Sequence, residues 1–362
     1  MSNSNYNEKA KVAIGKGTYK NLDIKSLIKP IGGFKNYFEK GDRVLIKTNL
    51  LNASYPDKAV VTNPLFIKKV IEELLDIQVN PFIGDSPSGH FTKRRLEKVY
   101  LKSGMIGLSK ELGIDLNYNT NTQRVSIPDG KRLKKTLICN FALNADKIIS
   151  LPKLKTHSLM IMTLAIKNMY GVIPGLTKAR YHSMFIRRKA FAEMLNDLLS
   201  VIKPDLSIID GIIGMEGDGP AGGNPIELGL LLASENPYAL DLAVCDILNI
   251  EPVGIPILKN AKIRKLLPKE IEYPLLSPSQ VKYENFKLPS TAGHVLTGKK
   301  IPNKYPIPND KCTACGECVK LCPKKIIKID NKKVKIDYSK CIRCYCCHEI
   351  CSYNAINLEI KN

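Results

Sequence analysis

Cys312-Thr-Ala-Cys315-Gly-Glu-Cys318-Val-Lys-Leu-Cys322-Pro323 sets four cysteines at intervals of two, two and three residues, and Cys341-Ile-Arg-Cys344-Tyr-Cys-Cys347-His-Glu-Ile-Cys351 repeats them. A [4Fe–4S] cube takes four thiolates, and this spacing lets three wrap one cube while the fourth reaches its neighbour. Crossed ligation then gives Cys312, Cys315, Cys318 and Cys351 to one cluster and Cys341, Cys344, Cys347 and Cys322 to a second. Of the 11 cysteines, only Cys139 and Cys245 lie outside this region. CxxC spacing in a chain expected to be intracellular points to metal binding rather than disulfides. Two complete copies favour clusters over structural zinc. Two adjacent clusters form a relay for single electrons, whose potential the motif leaves open.

These residues resemble bacterial-type two-cluster ferredoxins over about the last 50 residues of the chain. One departure is Ser352, where that family has proline after the fourth cysteine; no ligand is lost by it. Cys346 is an extra thiol inside the second motif, read as a spare half-buried cysteine or as a substitute ligand or tuning group. Cys139 and Cys245 sit in apolar segments and read as core residues.

Upstream of the motifs, residues 301–310 contain three prolines and read as an extended linker between residues 1–300 and 311–362. The larger part alternates strands with helices. Arg43–Ile46, Asn80–Ile83, Lys147–Leu151, Leu206–Ile209 and Leu228–Ala233 are short apolar runs that fit buried strands. Asn63-Pro64 is a cap-then-proline helix start, followed by Ile67, Val70, Ile71, Leu74 and Leu75 on one face. Asn236-Pro237 repeats the signal, and Phe191 to Ile202 gives another helix before Pro204. Residues 252–300 give no clear reading. The expected fold is an α/β domain with a mainly parallel or mixed sheet and flanking helices, plus a small ferredoxin-like α+β domain.

Polar residues gather at the ends of the expected strands, where open α/β sheets bind ligands. Lys47 and Asn49 follow the first strand, and Asp85 follows the second. Lys153, Lys155 and His157 follow the third, with Lys167 and Asn168 shortly after. The run from Asp210 to Gly223 carries Gly217 and Gly219, and reads as a loop that either contacts a ligand or is merely flexible. It is neither a Walker A loop nor a GxGxxG fingerprint, so it supports no nucleotide. Within it, Glu216 and Asp218 read as carboxylates that bind a cation or orient a cationic side chain, or as surface carboxylates. His157, flanked by lysines at a strand end, is the candidate acid/base or, when neutral, a candidate metal ligand. Lys153 and Lys155 are its candidate catalytic companions. His90, His182, His294 and His348 lack such company and read as structural. The lysines suit an acidic ligand, or belong to a lysine-rich surface.

The segments Val44–Leu50, Pro152–His157, Leu164–Gly175 and Met215–Pro220 resemble the domain-of-unknown-function 362 family over roughly residues 40–250. The resemblance implies a domain often fused to ferredoxin modules in anaerobic bacteria and archaea, and it supplies no reaction.

The formal charge of +21 is spread along the chain, with 12 Lys/Arg against 6 Asp/Glu in residues 301–362. A solvated surface or an acidic ligand or protein partner accounts for it. The absence of Trp and of aromatic residues among the basic stretches argues against nucleic acid. The N-terminus is polar, and no apolar run approaches the roughly 18 residues of a membrane span. A soluble cytoplasmic protein is expected. The leading functional expectation is an iron–sulfur reductase acting on an acidic substrate, with an electron donor or acceptor protein as partner. A non-catalytic carrier docking a partner enzyme, and a cluster-based regulator or nucleic-acid binder, are the alternatives. A further metal or cofactor in the larger domain stays open, as does the oligomeric state.

Overall fold

Strand register follows from which residues have an apolar side to hide. The computed structural model describes residues 8–293 and 303–361. His294, residues 1–5 and the first two residues of the expected linker lie outside them. A mixed sheet of nine strands forms the centre. In chain order they are β1 (Ala13–Lys16), β2 (Arg43–Lys47), β3 (Asn80–Gly84), β4 (Asp115–Leu116), β5 (Lys147–Ser150), β6 (Lys153–His157), β7 (Ile161–Thr163), β8 (Leu206–Glu216) and β9 (Asn224–Ser234). Their order is β7-β6-β8-β5-β2-β3-β4, with β9 pairing β8 and β1. Contacts of β2 with β3 and β5, of β3 with β4, and of β8 with β5 and β6 are parallel. The β6–β7, β8–β9 and β9–β1 pairs are antiparallel.

Side chains alternate across each strand, and the apolar core divides accordingly. Leu45, Phe82, Ile148, Ile209 and Leu232 face one core, which includes Phe191 and Leu195 of helix Arg188–Leu199 and Leu240 and Val244 of helix Pro237–Ile247. Val44, Ile46, Ile83, Ile149, Ile208 and Leu231 face the other, with Ile67, Val70, Ile71 and Leu74 of helix Pro64–Asp76. Asn63 caps that helix by accepting a hydrogen bond from Leu65 N at 2.9 Å. Leu75, expected on its buried face, is exposed.

Three segments differ from their sequence reading, and one is Lys304–Pro308, expected as linker but held as a strand of the C-terminal unit by antiparallel pairing with Ile356–Ile360. Lys153–His157, expected to follow a strand, is itself strand β6, and all five residues are buried. The stretch from Asp210 to Glu216, expected as loop, continues β8, with an irregularity between Gly211 and Ile213. A Cβ at Gly214 would lie 3.1 Å from the Leu154 carbonyl oxygen, so the glycine lets adjacent strands approach. Only residues 217–223 form the turn, and Gly217 there has φ +76. Glu216 accepts a hydrogen bond from Lys287 N at 2.9 Å, and Asp218 accepts from Ser290 N at 2.6 Å. Both carboxylates thus fasten the turn to residues 287–290.

The C-terminal part is a small α+β unit. Lys304–Pro308 pairs antiparallel with Ile356–Ile360, and Ile327–Asp330 with Lys333–Ile336, around short helices Glu317–Leu321 and Cys346–Ile350. Helix Cys346–Ile350 faces the larger part. The His348 ring lies 2.8 Å from the carbonyl oxygens of both Asp218 and Ile356. Asn52 Nδ2 donates to the Glu349 carbonyl oxygen at 3.1 Å, and Arg95 pairs with Glu317. Among the described residues no helix is long and apolar enough to cross a membrane.

Gly222 sets how closely the two parts meet, because a Cβ there would stand 2.4 Å from His348 Cε1. With the ring held from both sides, Gly222→Ala is expected to cost about 1–3 kcal/mol at this contact. Hydrogen exchange over residues 346–350 should then accelerate; unchanged protection would show that the contact does not hold the parts together.

Candidate functional site

The carboxyl ends of parallel strands carry unpaired backbone groups and the polar residues that follow them, so ligand sites form there. Here the ends of β2 and β3 and the segments Ala165–Tyr170 and Gly175–His182 enclose a cavity of about 60 Å³. That is several times the ~10–15 Å³ one water needs. Lys47, Asn49, Asp85, Lys155, Lys167 and Asn168 all line it. Lys153, His157, Gly217 and Gly219 do not.

Local chemistry fixes each wall. Lys47 Nζ lies 2.9 Å from Asp85 Oδ1, and the Asp85 carboxylate also accepts from Leu50 N at 2.7 Å and Ser86 N at 2.8 Å. Asn168 Nδ2 donates to Ser150 Oγ at 2.9 Å, and its Oδ1 accepts from Asn49 Nδ2 at 2.8 Å. The segment bearing Lys167 starts where Asp241 accepts from Ala165 N at 2.7 Å. Burial pushes the Asp241 carboxyl up to about 8, against that opposing bond. A Cβ at Gly171 would fall 2.3 Å from Asp85 Oδ1, and one at Gly175 would fall 2.0 Å from the Gly89 carbonyl oxygen. The two glycines of Tyr170-Gly-Val-Ile-Pro-Gly175 are therefore what lets this segment close over the ion pair.

Four lysine amines enter the wall: Lys47, Lys155, Lys167 and Lys178. Two carboxylates, Asp85 and Glu349, oppose them. Lys155 Nζ donates to the Val60 carbonyl oxygen at 2.6 Å, and Lys178 Nζ donates to that of Ser86. Burial lowers the lysines' proton affinity, and Lys167 adds to the effect at Lys155. Lys178 is brought down to about 8, chiefly by burial. Thr163 Oγ1, Ser86 Oγ and His182 Nδ1 are buried at this wall without a hydrogen-bond partner. Burial holds His182 at about 4, so its ring is neutral at neutral pH. A cavity with surplus buried cation and unpaired polar atoms suits a small anion.

His157 stands behind this wall. Its Nδ1 accepts from Leu159 N at 3.0 Å and Met160 N at 3.3 Å, so the proton sits on Nε2. Nε2 lies 3.0 Å from Glu349 Oε1, though off the line of a well-formed hydrogen bond. Burial, then Lys167, holds the imidazole down at about 3, while the Glu349 carboxyl, which burial alone would raise, is held below its ordinary range by its contact with His157 and by Lys167. Lys153 is further removed. Its Nζ lies 2.8 Å from Asp210 Oδ2 within the sheet and donates at 2.8 Å to Oη of half-buried Tyr19, in the turn that follows β1.

The cysteines border two hollows. Cys312, Cys315, Cys318 and Cys351 line one of about 30 Å³. Cys322, Cys341, Cys344 and Cys347 line another of about 20 Å³, together with Cys346. Burial, then the thiols of Cys315, Cys312 and Cys351, pushes Cys318 up to about 11, as expected for thiols crowded around a common centre. Among the described residues no three His, Cys, Asp or Glu side chains converge on a single metal ion. Four thiols around a hollow instead match the donor set of an iron–sulfur cube. Cys346 lines both the second hollow and the lysine cavity, so one residue separates them.

Sequence reading missed Lys178, His182, Cys346 and Glu349 as members of this wall. Glu349 carried the one available signal, a carboxylate lodged between cysteines of a cluster motif.

Lys153→Ala should cost about 3–5 kcal/mol in denaturant unfolding, because it strands the Asp210 carboxylate in the sheet; a loss of anion binding with full stability would contradict this placement. In the cavity, Lys178 is a cation below about pH 8 and neutral above it. Anion affinity should therefore be full below that pH and fall as pH rises through it. Isothermal titration with inorganic sulfate checks this, and Lys178→Met should remove the step.

Residues 44–246 match the family described as "Domain of unknown function (DUF362)", and residues 305–352 match the 4Fe-4S dicluster domain. The thylakoid-associated protein sll1697 of Synechocystis sp. is 36% identical over 270 residues, 74% of this chain and 82% of that one. The DNA-directed RNA polymerase subunit Rpo3 of Methanosarcina mazei is 32% identical over 141 residues, 37% of this chain and 49% of that one. The pyruvate synthase subunit PorD of Methanocaldococcus jannaschii is 43% identical over 49 residues, 13% of this chain and 57% of that one. The chain thus spans about half the length of those two relatives. With more than half of its residues in the first match, the chain belongs to the DUF362 family and carries an iron–sulfur electron-transfer module at its C-terminal end.

Proposed function

We propose that the protein is an iron–sulfur reductase that takes a small anionic substrate into the lysine cavity. The observation that carries this reading is the position of Cys346 and Glu349, which come from the cysteine module yet line the cavity of the larger part. A free-standing carrier has no use for such a cavity against its cluster-binding region. The similarity to a pyruvate synthase subunit over the module supports the electron-transfer half of the reading.

In this scheme two [4Fe–4S] clusters occupy the two hollows, with Cys312, Cys315, Cys318 and Cys351 as one ligand set and Cys322, Cys341, Cys344 and Cys347 as the other. Bound there, the clusters supply single electrons to the cavity. The described residues 8–293 form the substrate domain, and the electron module begins with strand Lys304–Pro308, which pairs with Ile356–Ile360. Lys155 and Lys167 hold the anion, while Asn168 and the Lys47–Asp85 pair shape its seat. Lys178, near neutrality in its proton affinity, supplies the proton. His157, expected from sequence as the acid, instead orients Glu349 from behind the wall. Lys153 supports the sheet beneath.

The test is anaerobic mixing of the reduced, cluster-loaded full chain with reducible small anions such as nitrite, sulfite and fumarate. The reading expects one class to reoxidise the clusters, with Lys155→Ala and Lys167→Ala slowing that step at least about tenfold, as loss of a charge contact in a dry site implies. Reoxidation by none of them, with no anion retained in native mass spectra, would favour the non-catalytic carrier.

A further inference from the structure

Seven lysines and two aspartates lie between residues 324 and 340, and all nine are exposed. Asp330 pairs with Lys335 at 2.6 Å and Asp337 with Lys340 at 3.6 Å. Among the described residues no carboxylate lies within ion-pair distance of Lys324, Lys325 or Lys328. These three, with Lys335 and Lys340, border an open depression of about 510 Å³ floored by Ile326 and Ile336. Lys324, Ile326 and Ile336 also line the hollow ringed by Cys322, Cys341, Cys344 and Cys347. One layer of side chains therefore separates a concentrated basic surface from a cluster-binding hollow. Helix Cys346–Ile350 and the Leu321 end of helix Glu317–Leu321 face the larger part instead, so this basic face is left open to solvent.

We propose that this depression is the docking site of an acidic protein that carries single electrons. Charge complementarity of this kind steers encounter and fixes register, which suits a transient partner that must leave after transfer. Nucleic acid fits less well, because the depression has no aromatic ring on which bases stack. The transfer is balanced by one electron: the carrier's reduced cofactor is oxidised by one, and the adjacent cluster is reduced by one. The inference rests on cluster occupancy of that hollow and on no property of the lysine cavity.

The experiment follows bleaching of the visible cluster absorbance of the anaerobic, reconstituted full chain in a stopped-flow instrument. Two reductants are compared, reduced flavodoxin as the acidic carrier and photoreduced deazaflavin as a small neutral donor. With flavodoxin the second-order rate should fall steeply with salt, and about tenfold in the Lys325→Glu/Lys328→Glu variant, the scale of electrostatic steering. Lys325→Gln/Lys328→Gln should give an intermediate loss. With deazaflavin, rates and iron content should stay unchanged in both. Equal slowing with both donors would overturn the proposal, since the lysines would then act on the cluster. Indifference of the flavodoxin rate to salt and to both variants would also overturn it, leaving the lysines as a solvated face. Retention of a duplex DNA fragment at physiological salt, lost in the variants, would assign the depression to nucleic acid instead.

Discussion

Burying an amine is costly unless an opposing charge comes with it, and this molecule buries four around one cavity with two carboxylates to face them. Most of the local architecture answers to that imbalance. Asp85 is held rigid by two backbone N–H groups so that it can serve Lys47. Carbonyl oxygens of Val60 and Ser86 are turned toward Lys155 and Lys178. The second carboxylate, Glu349, comes from the cysteine module, so the larger part is electrostatically incomplete by itself. Charge and apolar contact together place the module, since Tyr345 and Leu358 also join the core of the larger part. Its apolar contacts with the larger part include Ala179 and the small residue Gly89, whose Cβ position lies 3.3 Å from Ile350.

Much of the fold was written locally. Val44-Leu-Ile46 has nowhere to go but a buried strand, and Asn63-Pro64 starts a helix by chemistry confined to a few residues. The cysteine spacing is equally local. What escaped the sequence was settled by partners far along the chain. Lys153–His157 looks too polar for an interior strand until Asp210 and Tyr19 are brought against Lys153. Asp210–Glu216 looks like loop because glycines break its pattern, yet those glycines admit the neighbouring strands.

The candidate site divides in the same way. Lys47, Asn49, Asp85, Lys167 and Asn168 were legible because each follows a strand end or stands in a distinctive polar run. Lys178 and His182 lie on the short helix Gly175–Met184, whose weak amphipathic pattern gives no sign of a ligand wall. His157 was conspicuous in sequence for its lysine neighbours. Its ring nevertheless stays behind the cavity wall, because two backbone N–H groups claim Nδ1 and Glu349 stands between Nε2 and the cavity.

The second cysteine motif has a consequence for modularity. In a free ferredoxin, residues between the ligands need only permit the turn that wraps the cube. Here Cys346 lines the cavity, His348 bridges two carbonyl oxygens and Glu349 meets His157, all within one stretch between Cys344 and Cys351. The spacer is thus a second recognition surface interleaved with the first. A borrowed two-cluster domain with correct cysteines and different spacers would load its iron and still be a stranger to this host, so the two halves are one inheritance rather than interchangeable parts.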